Sequence, residues 1–352
     1  MNLFDQSKVF KHVHVEMTNK CNLACPMCPR IDLLQRGMIN NKEDLSLQDF
    51  KKIFDPIKDN IEKFYLSGNY SDPLMNSEIE SIIDYILEET SARIQIGSNG
   101  SMRNPEFFER LGKKFFSHWV ITQKPSSILF AIDGLEDTNH IYRVNSNWNK
   151  IMENAKAFIN AGGFAEWKYV VFGHNEHQVD EAEKLSEELG FLRFVKVIST
   201  RFVNSEGDVY VDELDNKAKK ESKKAKVTRS TGEYDVNNYI QKNEYEIKCD
   251  ALQKNGIFVT DKGLVMPCCW TGNDFGYNID IHGATDQGLA YLMKKYPNWK
   301  KDLNAIENNI VDVMQSSFWN SLESLWNMEE PVTCMRQCGK KLDDIKIESK
   351  FI

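Results

Sequence analysis

The eight residues Cys21-Asn22-Leu23-Ala24-Cys25-Pro26-Met27-Cys28 decide how the rest of the chain is read. They follow residues 12–18, where apolar and polar side chains alternate as they do along a strand. Three thiols fall at C-x3-C-x2-C spacing. A fourth would close a tetrahedral zinc site or saturate a four-iron cluster, whereas three leave one iron of a [4Fe–4S] cluster without a protein ligand. That iron is open to a further molecule. A partial zinc site is the competing reading of the same cysteines.

The chain has 352 residues, enough for one large domain plus a smaller one with a substantial core. Its 44 Lys and Arg against 52 Asp and Glu leave a net charge of −8, with no global pull toward nucleic acid or an anionic membrane. No apolar run approaches the roughly 18 residues of a membrane span, and residues 1–11 lack the apolar core of a signal peptide. A cytoplasmic protein is expected. Eight cysteines in a reducing compartment suit metal ligation better than disulfides. Three lie near the start, five follow residue 248, and none falls between.

Outward from the cysteine loop, residues 45–59 carry Leu47, Phe50, Ile53 and Phe54 at helical spacing, and a strand is expected at 61–67. Asn76 is placed to cap a helix whose Ile79, Ile82, Ile83 and Ile86 make an i, i+3, i+4, i+7 stripe. Strands at 93–98, 128–132, 167–172 and 191–198 then alternate with helices at 105–115, 148–161 and 179–189. Strands alternating with helices through short connections predict an α/β fold with a parallel sheet. In such folds ligands gather at the carboxyl ends of the strands. The loops there are Ser67-Gly68-Asn69-Tyr70-Ser71-Asp72-Pro73, Ser98-Asn99-Gly100, Ala131-Ile132-Asp133-Gly134 with Tyr142-Arg143, and Gly173-His174-Asn175-Glu176-His177.

Taken together, the cysteine spacing and these loops resemble the radical S-adenosylmethionine (SAM) enzymes. The resemblance implies a partial (β/α)6 TIM-like barrel, a [4Fe–4S] cluster held by Cys21, Cys25 and Cys28, and SAM bound at the open iron. It further implies reductive cleavage of SAM to a 5′-deoxyadenosyl radical that abstracts a substrate hydrogen. An external one-electron donor such as flavodoxin or ferredoxin is then required. Many members have an aromatic residue before the third cysteine, where this chain has Met27.

Within the resemblance, Tyr70, Ser71 and Asp72 occupy a variant of the family's Gly-Gly-Glu-Pro element, which holds the SAM amino end, with Ser71 and Asp72 standing for the second glycine and the glutamate. Ser98 and Asn99 resemble the Thr-Asn-Gly loop near the ribose. Asp133 and Arg143 resemble a Ser-Ile-Asp-Gly…Arg arrangement in which the arginine reaches the SAM carboxylate or ribose, Ala131 here replacing the serine. Plain turns and a solvated arginine are the alternatives for these three elements. His174 and His177 are read as facing substrate or SAM rather than a metal, and Asn175 as a helix cap.

Residues 204–244 lose periodicity, and within them 217–229 hold seven Lys or Arg and one Glu. The segment reads as a solvated linker, or as a lid or clamp for an acidic substrate. A hairpin is expected over 257–266 around Asp261-Lys262-Gly263, and Phe318, Leu322, Leu325 and Trp326 give a helical face stopped by Pro331. Cys249, with thirteen residues between it and Gly263, and Cys268, with four residues between Gly263 and it, resemble the opening of the SPASM/Twitch domains, which place auxiliary iron–sulfur clusters beside the substrate. That implies a small α+β module over 245–352 following a barrel over 1–203. Cys249, Cys268, Cys334 and Cys338 would saturate a second [4Fe–4S] cluster, and a structural zinc knuckle is the rival use of the same thiols. Cys269 is left over, either a buried small hydrophobe or a hydrogen-atom donor and alternative ligand.

The expected reaction is hydrogen abstraction from a small molecule or a peptide, leading to oxidation or dehydrogenation assisted by the second cluster. Epimerisation or cross-linking of a ribosomal peptide is the alternative, and a non-catalytic metal-binding scaffold the alternative of another class. The short stretch before the first strand leaves no room for an N-terminal leader-binding domain, which favours a small molecule.

Overall fold

A computed structural model of the chain describes residues 9–26, 28–198, 245–272, 287–322, 324, 334 and 338–341. Met27, the segment 204–244 with its basic stretch, Leu325, Trp326 and Pro331 lie outside the described residues. By contact, the chain divides into two compact units. One comprises Glu16–Leu45 and Phe64–Asp235, and the other Met1–Val15, Ser46–Lys63 and Val236–Ile352.

In chain order the elements are β1 (Val13–Val15), α1 (Pro29–Gln35), α2 (Leu47–Phe54), β2 (Lys63–Ser67), α3 (Ile79–Glu89), β3 (Arg93–Ser98) and α4 (Pro105–Thr122). There follow β4 (Ser127–Ala131), α5 (Asn139–Tyr142), α6 (Trp148–Asn160), β5 (Phe164–Val171), α7 (Val179–Glu188) and β6 (Arg193–Ile198). The unit that carries the cysteine loop has its strands in the order β6-β5-β4-β3-β2, with β3–β4, β4–β5 and β5–β6 paired in parallel. This is the parallel sheet of a partial (β/α) barrel. Its alternation of strands and helices is the one the hydrophobic pattern predicts.

The isoleucine stripe of α3 shows why: Ile79, Ile82, Ile83 and Ile86 are each 0% exposed. Four residues at helical spacing on one face exclude water together. On α4, Asn104 caps the first turn by accepting from the Phe107 N–H, and Phe107, Phe108, Leu111 and Phe115 are buried. That helix runs seven residues past the expected end at 115, to Thr122, because no Gly or Pro falls within residues 116–122. Two capping expectations are corrected. Asn76 lies short of α3, whose N-cap position is Glu78; its amide donates to the carbonyls of Met17 (2.6 Å) and Leu45 (2.9 Å). Asn175 makes no side-chain cap either. The amide oxygen that a cap would use is engaged outside the helix in each case: Asn76 Oδ1 accepts from the Glu78 N–H at 2.7 Å, ahead of the first residue of α3, and Asn175 Oδ1 from the Phe172 N–H at 2.7 Å.

In the other unit β1 pairs in parallel with β8 (Ile257–Val259), which turns back on β9 (Val265–Met266) as the expected hairpin. Gly263 takes φ +78° at the turn, a conformation side chains disfavour. A two-stranded ribbon of β7 (Tyr245–Ile247) and β10 (Gly339–Lys341) is antiparallel. No helix among the described residues is long and apolar enough to cross a membrane.

Candidate active site

The cysteine loop sits past the end of β1 and closes into α1, where the Ile31 N–H donates to the Cys28 carbonyl at 3.0 Å. Cys25 is buried with Leu23, Tyr142 and Phe172, and Cys21 and Cys28 pack against that group. Leu23 of the loop itself and the rings of Tyr142 and Phe172 therefore shield Cys25, while Cys21 and Cys28 are half-buried. Burial is the main reason the Cys21 thiol is pushed up to about 12, with the Asp72 charge adding to it. In the metal-free protein this thiol stays protonated, and a metal must displace its proton.

Hydrogen bonds fix the loop to its surroundings. The Ala24 N–H donates to the Val144 carbonyl at 3.1 Å, and the Cys21 N–H to Asn41 Oδ1, also at 3.1 Å. The Asn22 amide donates to Ser101 Oγ at 2.8 Å and its oxygen accepts from the Asn99 amide at 3.0 Å. The cysteine loop and the β3 loop are thus joined by side chains.

The candidates at the strand ends fall into three adjacent groups. After β2, the N–H groups of Asn69 (2.7 Å) and Tyr70 (3.3 Å) and the Ser71 hydroxyl (2.6 Å) all donate to the Glu16 carboxylate. Asp72 turns the other way. Its two oxygens accept from Ser98 Oγ, from the Asn99 N–H at 2.8 Å and from the Asn99 amide at 2.7 Å, and also from the Leu74 N–H. Burial pushes the Asp72 carboxyl upward, opposed by those donors and by the Arg143 charge.

The third group is Asp133 with Arg143. Asp133 is 0% exposed; its Oδ2 accepts from Arg143 Nε at 2.6 Å and its Oδ1 from the Val170 N–H at 2.8 Å. Burial alone would lower the Arg143 pKa, but Asp133 and Cys25 outweigh it and raise it. Arg143 remains a cation, with Tyr142 under its guanidinium at 5.5 Å. Asn175 serves this group, donating to the Asp133 and Val170 carbonyls and accepting from the Phe172 N–H. Cys21 responds to the Asp72 charge, Asp72 to Arg143 and Arg143 to Cys25, so Tyr70 to Arg143 and the three thiols share one end of this unit.

His174 is stacked on Phe172 at 5.5 Å, and both its ring nitrogens are buried without hydrogen-bond partners. Burial takes it from its ordinary 6.5 down to about 4, Asp133 opposing and His177 and His140 assisting. A histidine held neutral by the fold contributes stability above its ordinary pKa and loses it as pH falls toward the depressed value. Unfolding free energy should therefore drop by at most about 3 kcal/mol between neutral pH and pH 4 on account of this group. Urea unfolding of wild type and His174→Gln across that range checks this; parallel pH curves for the two would refute it. His177 is exposed.

In the other unit, the pairing of β7 with β10 brings Cys249 and Cys338 together. The Lys248 N–H donates to the Cys338 carbonyl at 2.9 Å, and the Cys249 and Cys338 thiols are hydrogen-bonded. That bond and burial raise the Cys249 pKa, with Cys268 and Cys338 within charge range of it. Cys268 is raised by burial and lies 3.5 Å from the Thr271 hydroxyl. Cys269 and Cys334 are half-buried, and Trp270 is exposed.

Three thiols and no fourth ligand in one shielded loop, at the carboxyl end of a parallel sheet, match one family model, Radical SAM superfamily, over residues 15–189. Those residues are a radical SAM domain. The family implies a [4Fe–4S] cluster and SAM. No curated protein matches the chain in sequence. Among solved structures, SuiB of Streptococcus suis is similar with a TM-score of 0.56 at 16% identity, over 90% of this chain and 68% of SuiB. The protein anSMEcpe with bound AdoMet is similar with a TM-score of 0.53 at 12% identity, over 90% of this chain and 84% of its own. At such identities the likeness shows the fold.

Sequence reasoning missed two residues of the radical SAM domain's site, Glu16 and Arg30. Each is an ionisable residue flanking the cysteines and more than nine-tenths buried. A charge in an apolar alternation is the signal that could have marked Glu16.

Proposed function

We propose that this protein cleaves SAM reductively and abstracts a hydrogen atom from its substrate, with Cys21, Cys25 and Cys28 as the ligands of the reactive cluster. The observation that carries this is the set of three thiols in one loop, Cys25 buried with Leu23, Tyr142 and Phe172 and the half-buried Cys21 and Cys28 packed against them, with the Arg143 cation beside Cys25. When bound, the cluster and SAM supply an electron-triggered 5′-deoxyadenosyl radical. The chain's residues orient what binds there. Arg143, held by Asp133 through Nε, offers the rest of its planar fork to a carboxylate. Glu16 orders the backbone of 69–71, and Asp72 orders Ser98 and Asn99, so the two loops expected at the SAM amino end and ribose are set by buried acids rather than presenting those acids themselves. Tyr142 and Phe172 exclude water from Cys25.

Cys249, Cys268, Cys334 and Cys338 are proposed as ligands of a second cluster that takes the electron left on the substrate; the hydrogen-bonded Cys249 and Cys338, with Cys268 within charge range, support this. Cys269 remains the candidate hydrogen donor. A peptide substrate is supported by SuiB having been solved with its precursor peptide SuiA and anSMEcpe with a Cp18Cys peptide. The test is electron paramagnetic resonance of anaerobically reconstituted, dithionite-reduced protein. Adding SAM should change the spectrum, and 5′-deoxyadenosine should form. A reduced spectrum indifferent to SAM would leave a metal-binding scaffold.

A further inference from the structure

Arg30 stands two residues past Cys28, in α1, and is 5% exposed. Its Nη1 donates to the Leu23 carbonyl at 3.2 Å, and its Nη2 to the Cys21 carbonyl at 3.0 Å and Asn41 Oδ1 at 2.7 Å. Its Nε is buried without a hydrogen-bond partner. All three acceptors are neutral, and no carboxylate among the described residues pairs with this guanidinium. Two other cations near this end of the unit are paired, Arg143 with Asp133 and Lys20 with Asp44 at 2.5 Å. A buried charge with no countercharge costs several kcal/mol wherever it is measured, and folds rarely retain one.

The position of the guanidinium says where the missing negative charge lies. It grips the backbone at the first cysteine and at the residue midway to the second, so it lies under the loop that carries the thiols. A four-iron cluster on three thiolates has one net negative charge when oxidised and two when reduced. Such a group would compensate Arg30, and compensate it better after taking an electron.

We propose that Arg30 is the built-in countercharge of the iron–sulfur group in the cysteine loop, a positioning residue that also makes that group easier to reduce. The inference rests on the cluster reading of Cys21, Cys25 and Cys28. Because the cation favours the more negative state, its loss shifts the reduction potential to more negative values. A lysine keeps the charge but loses the fork that holds two carbonyls at once.

The experiment uses full-length wild type, Arg30→Lys and Arg30→Gln, each reconstituted anaerobically and titrated with dithionite under electron paramagnetic resonance, with iron counted per chain. Expected is a midpoint potential in Arg30→Lys close to wild type and one in Arg30→Gln clearly more negative. If Arg30→Gln takes up no iron at the first site while its metal-free form melts as wild type does, the countercharge role is also upheld. A loaded Arg30→Gln protein with the wild-type potential overturns the proposal. So does a metal-free Arg30→Gln protein that has lost its fold, since Arg30 is then a staple of the loop. Wild type that takes up no iron at the first site refutes the cluster reading and this inference together, whereas normal wild-type loading with an unmoved Arg30→Gln potential refutes this inference alone.

Discussion

Asp133→Ala should lower the unfolding free energy by about 3–5 kcal/mol, the cost found when one partner of a buried ion pair is removed. Asp133 is wholly buried and its carboxylate meets both Arg143 Nε and the Val170 N–H. Alanine leaves the Arg143 cation and the Val170 N–H without the carboxylate acceptor that Asp133 gave them. Small domains have about 5–15 kcal/mol in total, so the loss is a large share. It should be read as a lower urea midpoint at unchanged slope. Asp133→Asn keeps an acceptor for Val170 and should fall between alanine and wild type. Glu109→Ala is the control: its bond to Lys113 is a short 2.5 Å, but both side chains are more than half exposed, and no measurable change is expected. If Asp133→Ala proves as harmless as that surface change, Asp133 is not the tie between the two loops.

The second large effect is on catalysis. Cys25→Ala should bring 5′-deoxyadenosine formation to background, because two thiolates leave a four-iron cluster with two unligated irons and no unique one. Cys25 is the most buried of the three, so its loss also opens the space between Leu23, Tyr142 and Phe172. Cleavage that survives this change would remove the loop from the mechanism. The contrasting variant replaces Cys249, Cys334 and Cys338 together with alanine. It should retain SAM cleavage and lose about four irons per chain, by the ligation rule of a cubane. Zinc bound at those thiols in the wild type would defeat the second-cluster proposal while leaving the first untouched.

The amino-acid sequence was most informative where its signal is local. Four isoleucines at helical spacing in α3, the alternation of β3, and the C-x3-C-x2-C loop after a strand each depend on residues within a turn or two of one another. The structure leaves these as predicted. The direction in which buried polar groups point was less legible. Asp72 is expected to meet a cosubstrate, and the partners that folding gives its oxygens are Ser98 and Asn99, 26 and 27 residues away. Asn76 and Asn175 have the right type and place for caps, yet the Asn76 oxygen accepts from the Glu78 N–H just ahead of α3 and the Asn175 oxygen from the Phe172 N–H.

Sequence alone determined that a parallel α/β domain carries three thiols with no fourth ligand beside them, since period and spacing are properties of the chain itself. The tertiary structure decided which charge answers which: Glu16 holding 69–71, Asp133 holding Arg143, and Arg30 set among carbonyls with no acid of its own. The physical reason is that a buried polar group must find its partner wherever folding brings one within about 3 Å, and separation along the chain does not constrain that choice.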